Sequence, residues 1–306
     1  MYEASPKRLP LSEVVKQAPQ QLGHKRLVCK PQEQQVAVVL AAGSGTRFHS
    51  ETPKVIYPLD GKPLVRHVVE AVEQVDVPTV VIIGHEGSRV MKALADKNVI
   101  FIEQTERLGT AHAVYLAQYA LPEQFDGDII VLYADVPGVD KDLLQAVLER
   151  KQNHRRADPT FGALVVTGSR SLSLMSASGN YGRIVRDEQD PLCIREIVEK
   201  KQIDSMPETN PRKRMLADCD EFNSGIFVAR APALFRALGS VLPHRVGQHR
   251  CEYYATDFVE HMVAYGLHVY AWQVPAALQF KIEGANTLEE AQELERRLRT
   301  QSSSGR

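Results

Sequence analysis

Short apolar runs alternate along the chain with stretches whose apolar residues recur at helical spacing. "VAVVLAA" (36–42), "TVVIIG" (79–84), "VIFIEQ" (99–104) and "DIIVLYADVP" (128–137) are largely apolar and rich in β-branched residues. Runs of this length and composition predict strands buried on both faces. Between and after them, "PLVRHVVEAVEQV" (63–75), "SRVMKALAD" (88–96), "GTAHAVYLAQYAL" (109–121) and "KDLLQAVLERKQ" (141–152) carry the period of a helix. The alternation predicts an α/β domain with a parallel sheet covered on both faces. Ligands of such sheets bind beyond the carboxyl ends of the strands.

The pattern fades at both ends, which divides the chain into 1–35, 36–284 and 285–306. The first part mixes prolines, glutamines and charges, and only "LSEVVKQ" reads as a short helix. The simplest expectation is a partly disordered extension without chemistry, whose removal leaves turnover unchanged; the alternatives are a partner-docking arm or a targeting segment. The last part is a polar helix, "TLEEAQELERRLRT", before a "QSSSGR" tail expected to be disordered.

Composition narrows the function. A formal net charge of -1 over 306 residues argues against a general nucleic-acid or membrane-surface binder. Apolar runs stay well short of the roughly 18 residues of a membrane span, and the N-terminus lacks the apolar core of a secretory signal. Cys29, Cys193, Cys219 and Cys251 are scattered without metal-site spacing, so a reducing cytoplasm is the expected location.

The candidate chemistry begins where the first strand ends. In "LAAGSGTRFHSETPK" (40–54), small residues let the backbone approach a phosphate, and Arg47 and Lys54 supply positive charge. The loop is neither a P-loop nor a dinucleotide fingerprint, because the Gly-Lys-Ser/Thr ending is absent and Phe48 stands where a third glycine belongs. A glycine-rich turn with two cations at a strand's carboxyl end points to a triphosphate.

The extended stretch "LAAGSGTRFHSETPKVIYPLDGKPLVRHV" resembles the signature of the sugar-1-phosphate nucleotidyltransferases. Within them it is most similar to the pyrophosphorylase domain of the bacterial N-acetylglucosamine-1-phosphate uridylyltransferases. "EQTERLGTAHAV", "VLYADVP", "NYGRIVRD", "IVEKKQID", "EFNSGIFVA", "CEYYATD" and "KIEGAN" recur in the family's order, so the resemblance covers roughly 36–298. It implies a Rossmann-like, mostly parallel mixed sheet with helices on both faces, the nucleotide-diphospho-sugar transferase fold, with a β-rich sugar-binding insertion.

The resemblance also implies roles. Leu40, Ala42 and Gly43 would meet the nucleotide through their backbone, with Arg47 and Lys54 on the phosphates, and Gln104, Gly109 and Thr110 would read the base. An amide offers a donor and an acceptor together, which suits the edge of uracil. Asp135 and Asn286 would hold Mg²⁺, which is usually bound by one or two protein oxygens plus phosphates and water; a turn cap is the plain alternative for Asp135. Tyr133, two residues before it, would share its strand face. Gly182, Glu199, Asn223, Tyr254 and Thr256, with Tyr133, would bind the sugar.

The implied reaction makes UDP-N-acetylglucosamine and pyrophosphate from UTP and a hexosamine 1-phosphate. Alternatives are the same chemistry with another sugar phosphate or CTP, or a non-catalytic nucleotide-sugar sensor; the intact set Arg47, Lys54, Asp135 and Asn286 speaks against the sensor. The chain departs from the family at Arg107, where a glutamine is usual, and at Ser224, where a threonine is usual. Hexapeptide repeats do not follow residue 298, so the acetyltransferase β-helix of bifunctional members and its trimer contacts are not expected, and a monomer or weak dimer is.

Overall fold

The computed structural model describes residues 9–15, 21–22, 35–43, 48, 52–173, 181–246 and 250–304. Ten strands form the main sheet: β1 (Gln21–Leu22), β2 (Gln35–Ala41), β3 (Thr79–Ile83), β4 (Val99–Glu103), β5 (Asp128–Tyr133), β6 (Phe161–Ser169), β7 (Arg183–Arg186), β8 (Ile194–Val198), β9 (Glu221–Arg230) and β10 (His268–Gln273). Its order is β1-β4-β3-β2-β5-β9-β6-β10, with the β7–β8 hairpin attached to β9. The β2–β3, β3–β4, β2–β5 and β6–β10 pairs are parallel, whereas β9 runs antiparallel to β5, β6 and β7. The sheet is therefore mixed, as the resemblance implies and as strand composition alone does not reveal.

The helices are α1 (Leu11–Val14), α2 (Leu64–Glu73), α3 (Gly87–Ala93), α4 (Thr110–Leu116), α5 (Lys141–Ala157), α6 (Lys200–Ser205), α7 (Pro211–Asp218), α8 (Ala231–Ser240), α9 (Phe258–Ala264) and α10 (Leu288–Ser304). They explain why β2 is apolar from Val36 to Ala41. Val36, Val38 and Leu40 enter one core with α4, α8 and α9, while Ala37, Val39 and Ala41 enter the other with α2 and α5. A strand covered on both faces has no polar side.

Several boundaries move. β5 stops at Tyr133, so Asp135 lies in the following loop and the two do not share a strand face. Ala134 still donates to Leu40 O (3.1 Å), but the chain then turns, with Val136 N donating to Tyr133 O. α5 runs to Ala157, capped at its start by the Asp140 side chain on Leu143 N (2.9 Å). α10 continues through "QSSS" to Ser304, so the tail expected to be disordered is helical up to there; serine and glutamine oppose an established helix only weakly. Parts of the first 35 residues are folded onto the body: Leu11 is fully buried in the α4–α8–α9 core, and β1 pairs with Phe101 and Ile102 of β4. No helix among the described residues is long and apolar enough to cross a membrane.

Register places the site. Leu40 lies opposite Tyr133 on one side of β2, and Ala41 opposite Ile83 on the other. The chain passes from β2 to β3 on one side and reaches β5 on the other, so the loop after β2 leaves at the switch point of the sheet.

Candidate active site

A cavity of about 560 Å³ opens at these strand ends. Leu40, Ala42, Gly43, Lys54, Gln104, Gly109, Thr110, Tyr133, Asp135, Gly182, Glu199, Asn223, Tyr254 and Asn286 all line it. Of the residues singled out in the sequence, Thr256 lies behind the wall rather than on it, and Arg47 lies outside the described residues.

At one end, Gln104 follows β4, and its backbone N–H donates to Ile83 O (2.8 Å). Its side-chain NH₂ donates to Gly109 O (3.0 Å), which leaves the carbonyl oxygen to meet a ligand. His112 closes the arrangement from behind: Nδ1 donates to Glu106 O (2.9 Å), and burial lowers its pKa, which favours the neutral ring. Gly109 has φ +108, and a Cβ there would collide with the Tyr253 carbonyl. The Thr110 hydroxyl accepts from Ala255 N (2.9 Å), so it holds a neighbouring segment. Arg107 lines the same end of the cavity and is exposed.

In the middle, Lys54 begins a short 3₁₀ turn, and its ammonium pairs with the Asp135 carboxylate and donates to Asn286 Oδ1 (3.2 Å). The loop carrying Asn286 is tied down by Ala285 N donating to Asp135 O (2.8 Å) and by Asn286 N donating to the Glu290 carboxylate (2.7 Å). Phe48, which replaces the third glycine, is buried with Leu59, Leu64, Ala285 and Leu294 and stacks edge-on against Tyr57 at 4.9 Å.

This corner fits Mg²⁺. Asp135 and Asn286 present two hard oxygens around one point, and a cation, the Lys54 ammonium, already lies against both. No cluster of three or more His, Cys, Asp or Glu competes among the described residues. Phosphate oxygens and water would complete such a shell.

At the other end, Glu199 starts α6, with its N–H held by the Gln202 side chain (2.8 Å) and a carboxyl oxygen held by the Thr256 hydroxyl (2.9 Å). Burial pushes the Glu199 carboxyl above its ordinary range. Asn223 N donates to Gly182 O (3.0 Å), and its side-chain oxygen accepts from Gly225 N (3.0 Å). Tyr254 stacks on His244 with ring centres 4.9 Å apart. Ser224 donates to Val166 O (2.6 Å), an anchor that a hydroxyl of either serine or threonine provides.

Sequence reasoning missed Gly225 and Tyr181. Gly225 has φ +86, and a Cβ there would lie 2.7 Å from the Tyr133 ring, so glycine lets that ring lie flat against β9. The "SG" after Asn223 carried this signal. Tyr181 stacks on Phe222 at 4.4 Å, and its hydroxyl accepts from Gly284 N (3.2 Å), joining the sugar end of the site to the Asn286 loop in its middle. Nothing local in the sequence marks that pairing.

An open mixed sheet whose switch point opens onto one cavity, with Lys54 set against the hard oxygens of Asp135 and Asn286, defines a nucleotidyltransferase domain. A family model described as the MobA-like NTP transferase domain matches residues 37–201, and the chain belongs to that family. It is 34% identical over 265 residues to the bifunctional protein GlmU of Acinetobacter baylyi, covering 86% of this chain and 52% of that one. To the bifunctional protein GlmU of Chromohalobacter salexigens it is 36% identical over 260 residues, covering 85% and 51%. The chain thus spans about half the length of the curated relatives it matches. Among solved structures, a nucleoside-diphosphate-sugar pyrophosphorylase from Vibrio cholerae RC9 superposes with a TM-score of 0.57 at 16% identity, covering 85% of this chain and 100% of that one. A CMP:2-keto-3-deoxy-manno-octonic acid synthetase complexed with CTP gives 0.56 at 16%, covering 88% and 99%. At that identity the likeness shows the shared fold.

Proposed function

We propose that the protein joins UTP to N-acetylglucosamine 1-phosphate, releasing pyrophosphate. The observation that carries this reading is the Lys54–Asp135–Asn286 corner set between Gln104 and Glu199 on the wall of one cavity. In this proposal a nucleotide would sit at one end, phosphates in the middle and a polyhydroxy acceptor at the other. The match to the bifunctional GlmU proteins supports the family assignment and leaves the sugar to be tested.

Little covalent work falls to the chain. An oxygen of the sugar 1-phosphate attacks the α-phosphorus of UTP in line, forming a P–O bond as the bond to pyrophosphate breaks. The attacking phosphate is already ionised, so no general base is needed. Mg²⁺ held by Asp135 and Asn286 would supply charge neutralisation and a template for both phosphates. Lys54, released from Asp135 as phosphates enter, moves its charge onto them, and Arg47 is proposed to do the same. Gln104 orients the base, while Glu199 and Asn223 accept and donate to the sugar. Restricting each reactant to one pose supplies much of the rate. A cytoplasmic monomer or weak dimer belongs to the same proposal.

The test is a matrix of nucleoside triphosphates against sugar 1-phosphates, read by pyrophosphate release. UTP with N-acetylglucosamine 1-phosphate is expected to have the highest kcat/KM. A tenfold advantage for glucose 1-phosphate or CTP, roughly 1.4 kcal/mol at the transition state, would move the assignment to that pair.

A further inference from the structure

Tyr253 ties together three parts of the chain. Its backbone N–H donates to Leu108 O (2.7 Å), and its carbonyl accepts from Ala111 N (3.0 Å). Gly109 passes between these two bonds with no room for a side chain, and Ala255 N reaches back to the Thr110 hydroxyl. The loop beside the base and the segment beside the sugar thus run as one short ladder. The Tyr253 ring is buried in the same core as Leu11, and its hydroxyl donates to Leu9 O (2.9 Å). Leu11, two residues on, donates its N–H to Val241 O (3.1 Å) and is fully buried. Ser12 lies over Gly239, where an added methyl group would be in ordinary contact with its Cβ at 3.4 Å.

We infer that residues 9–15 are a brace for the active site, with Tyr253 as the positioning residue through which they act. The arm fixes the Tyr253 hydroxyl. Tyr253 in turn fixes the separation of the 108–111 loop from the 253–256 segment. Tyr254 on the cavity wall, and Thr256 on the Glu199 carboxyl, follow in the next three residues. The inference rests on the assignment of the two cavity ends given above. It replaces the expectation that removing the N-terminal segment leaves turnover unchanged. The mechanical reason is that loosening the 253–256 segment weakens the sugar side of the cavity as a binding wall, whereas the loss of one neutral hydrogen bond changes folding little.

Tyr253→Phe in the full chain tests it, because the ring stays packed and only the bond to Leu9 is lost. Hydrogen exchange in peptides covering 108–113 and 253–257 is expected to quicken at least about fivefold. KM for the sugar phosphate is expected to rise about threefold or more, with kcat within about twofold. Leu11→Ala is expected to do the same by freeing the arm, and adding Tyr253→Phe to it to change KM no further. Unchanged exchange in both peptides, or an unchanged KM in an active enzyme, overturns the inference. If the parent chain turns over no pair in the substrate matrix, the proposed function alone fails, and the exchange result then decides the brace.

Discussion

Strand β5 has a lysine–aspartate pair at each end. Asp128 opens the strand and is paired with Lys151 of α5 at 2.8 Å, the side chains being 0% and 1% exposed, and Arg155 adds a second contact at 3.0 Å. Asp135, two residues past the end of the strand, is paired with Lys54, at 18% and 13% exposure. The residue types are the same and the surroundings differ. At the closed end, water cannot replace either partner, so the pair is a fixed staple between strand and helix. At the open end, the same pair borders a cavity, and entering phosphates and a metal can trade places with either member. Burial, rather than composition, separates a structural ion pair from an exchangeable one.

The largest expected effect comes from breaking the closed end. Asp128→Ala strands the Lys151 ammonium in the core, which costs about 3–5 kcal/mol. In a chain of this size that lowers Tm by roughly 5–8 °C by calorimetry. Activity of the folded fraction at 25 °C should stay within about twofold. A variant that kept its Tm and lost turnover would reverse the roles assigned to the two ends.

Breaking the open end should do the opposite. Asp135→Asn keeps the shape and removes the charge, and turnover should fall by at least about a hundredfold, or about 2.7 kcal/mol. Its Tm should move by no more than about 2 °C, since a partly exposed pair contributes at most about 1 kcal/mol. Excess Mg²⁺ should recover part of the rate. Lys54→Ala should also slow turnover, without magnesium rescue, because the missing ammonium is not a ligand. An active Asp135→Asn that melts several degrees lower would make Asp135 a turn cap.

The two ends were not equally legible in the sequence. The strand itself was, because a sheet covered on both faces imposes an apolar run that "IIVL" displays. Lys54, Asp135 and Asn286 are legible only as members of family-like motifs, since spacings of 81 and 232 residues carry no local pattern. Asp128 and Lys151 carry no such mark, because nothing in "GDII" or "ERKQ" states that both will be buried. The antiparallel direction of β9, the place of Thr256 behind Glu199 and the contact of Leu9 with Tyr253 are likewise tertiary. Each depends on where a distant segment docks. Leu11 had a readable apolar residue and a readable helix, but a composition of prolines and glutamines around it argued for mobility.

A third change sharpens the comparison without touching either pair. Arg107 lines the open cavity and is exposed, so its charge can be removed at little cost to folding. A guanidinium only donates, and the Gln104 carbonyl oxygen on the same cavity wall only accepts, so together they suit a base edge with a carbonyl next to an N–H. Arg107→Ala should raise KM for UTP by up to about tenfold, roughly 1.4 kcal/mol, with kcat within about threefold and Tm unchanged. A fall in kcat at constant KM would put the guanidinium on the leaving pyrophosphate instead of the base.

The smallest effect concerns a carboxyl of intermediate surroundings. Burial raises Glu199 above its ordinary 4.5; the Thr256 hydroxyl opposes the rise, Asp257 adds to it, and Lys201 and His244 oppose it from a distance. The folded chain therefore holds this proton more tightly than the unfolded chain does. Stability from the group is complete below pH 4.5 and is lost as pH climbs through the raised folded value. Glu199→Gln removes the titration while keeping a hydrogen-bonding side chain. At neutral pH the variant should melt above the parent, and the gap should close as pH falls toward 4.5. Its KM for the sugar phosphate should rise, because an amide oxygen accepts from a hydroxyl more weakly than a carboxylate. Paired melting curves across this pH range check the sign. A variant less stable than the parent at neutral pH would mean that the Thr256 bond outweighs burial, and Glu199 would then belong with Asp128 among the staples rather than with Asp135 at the open end.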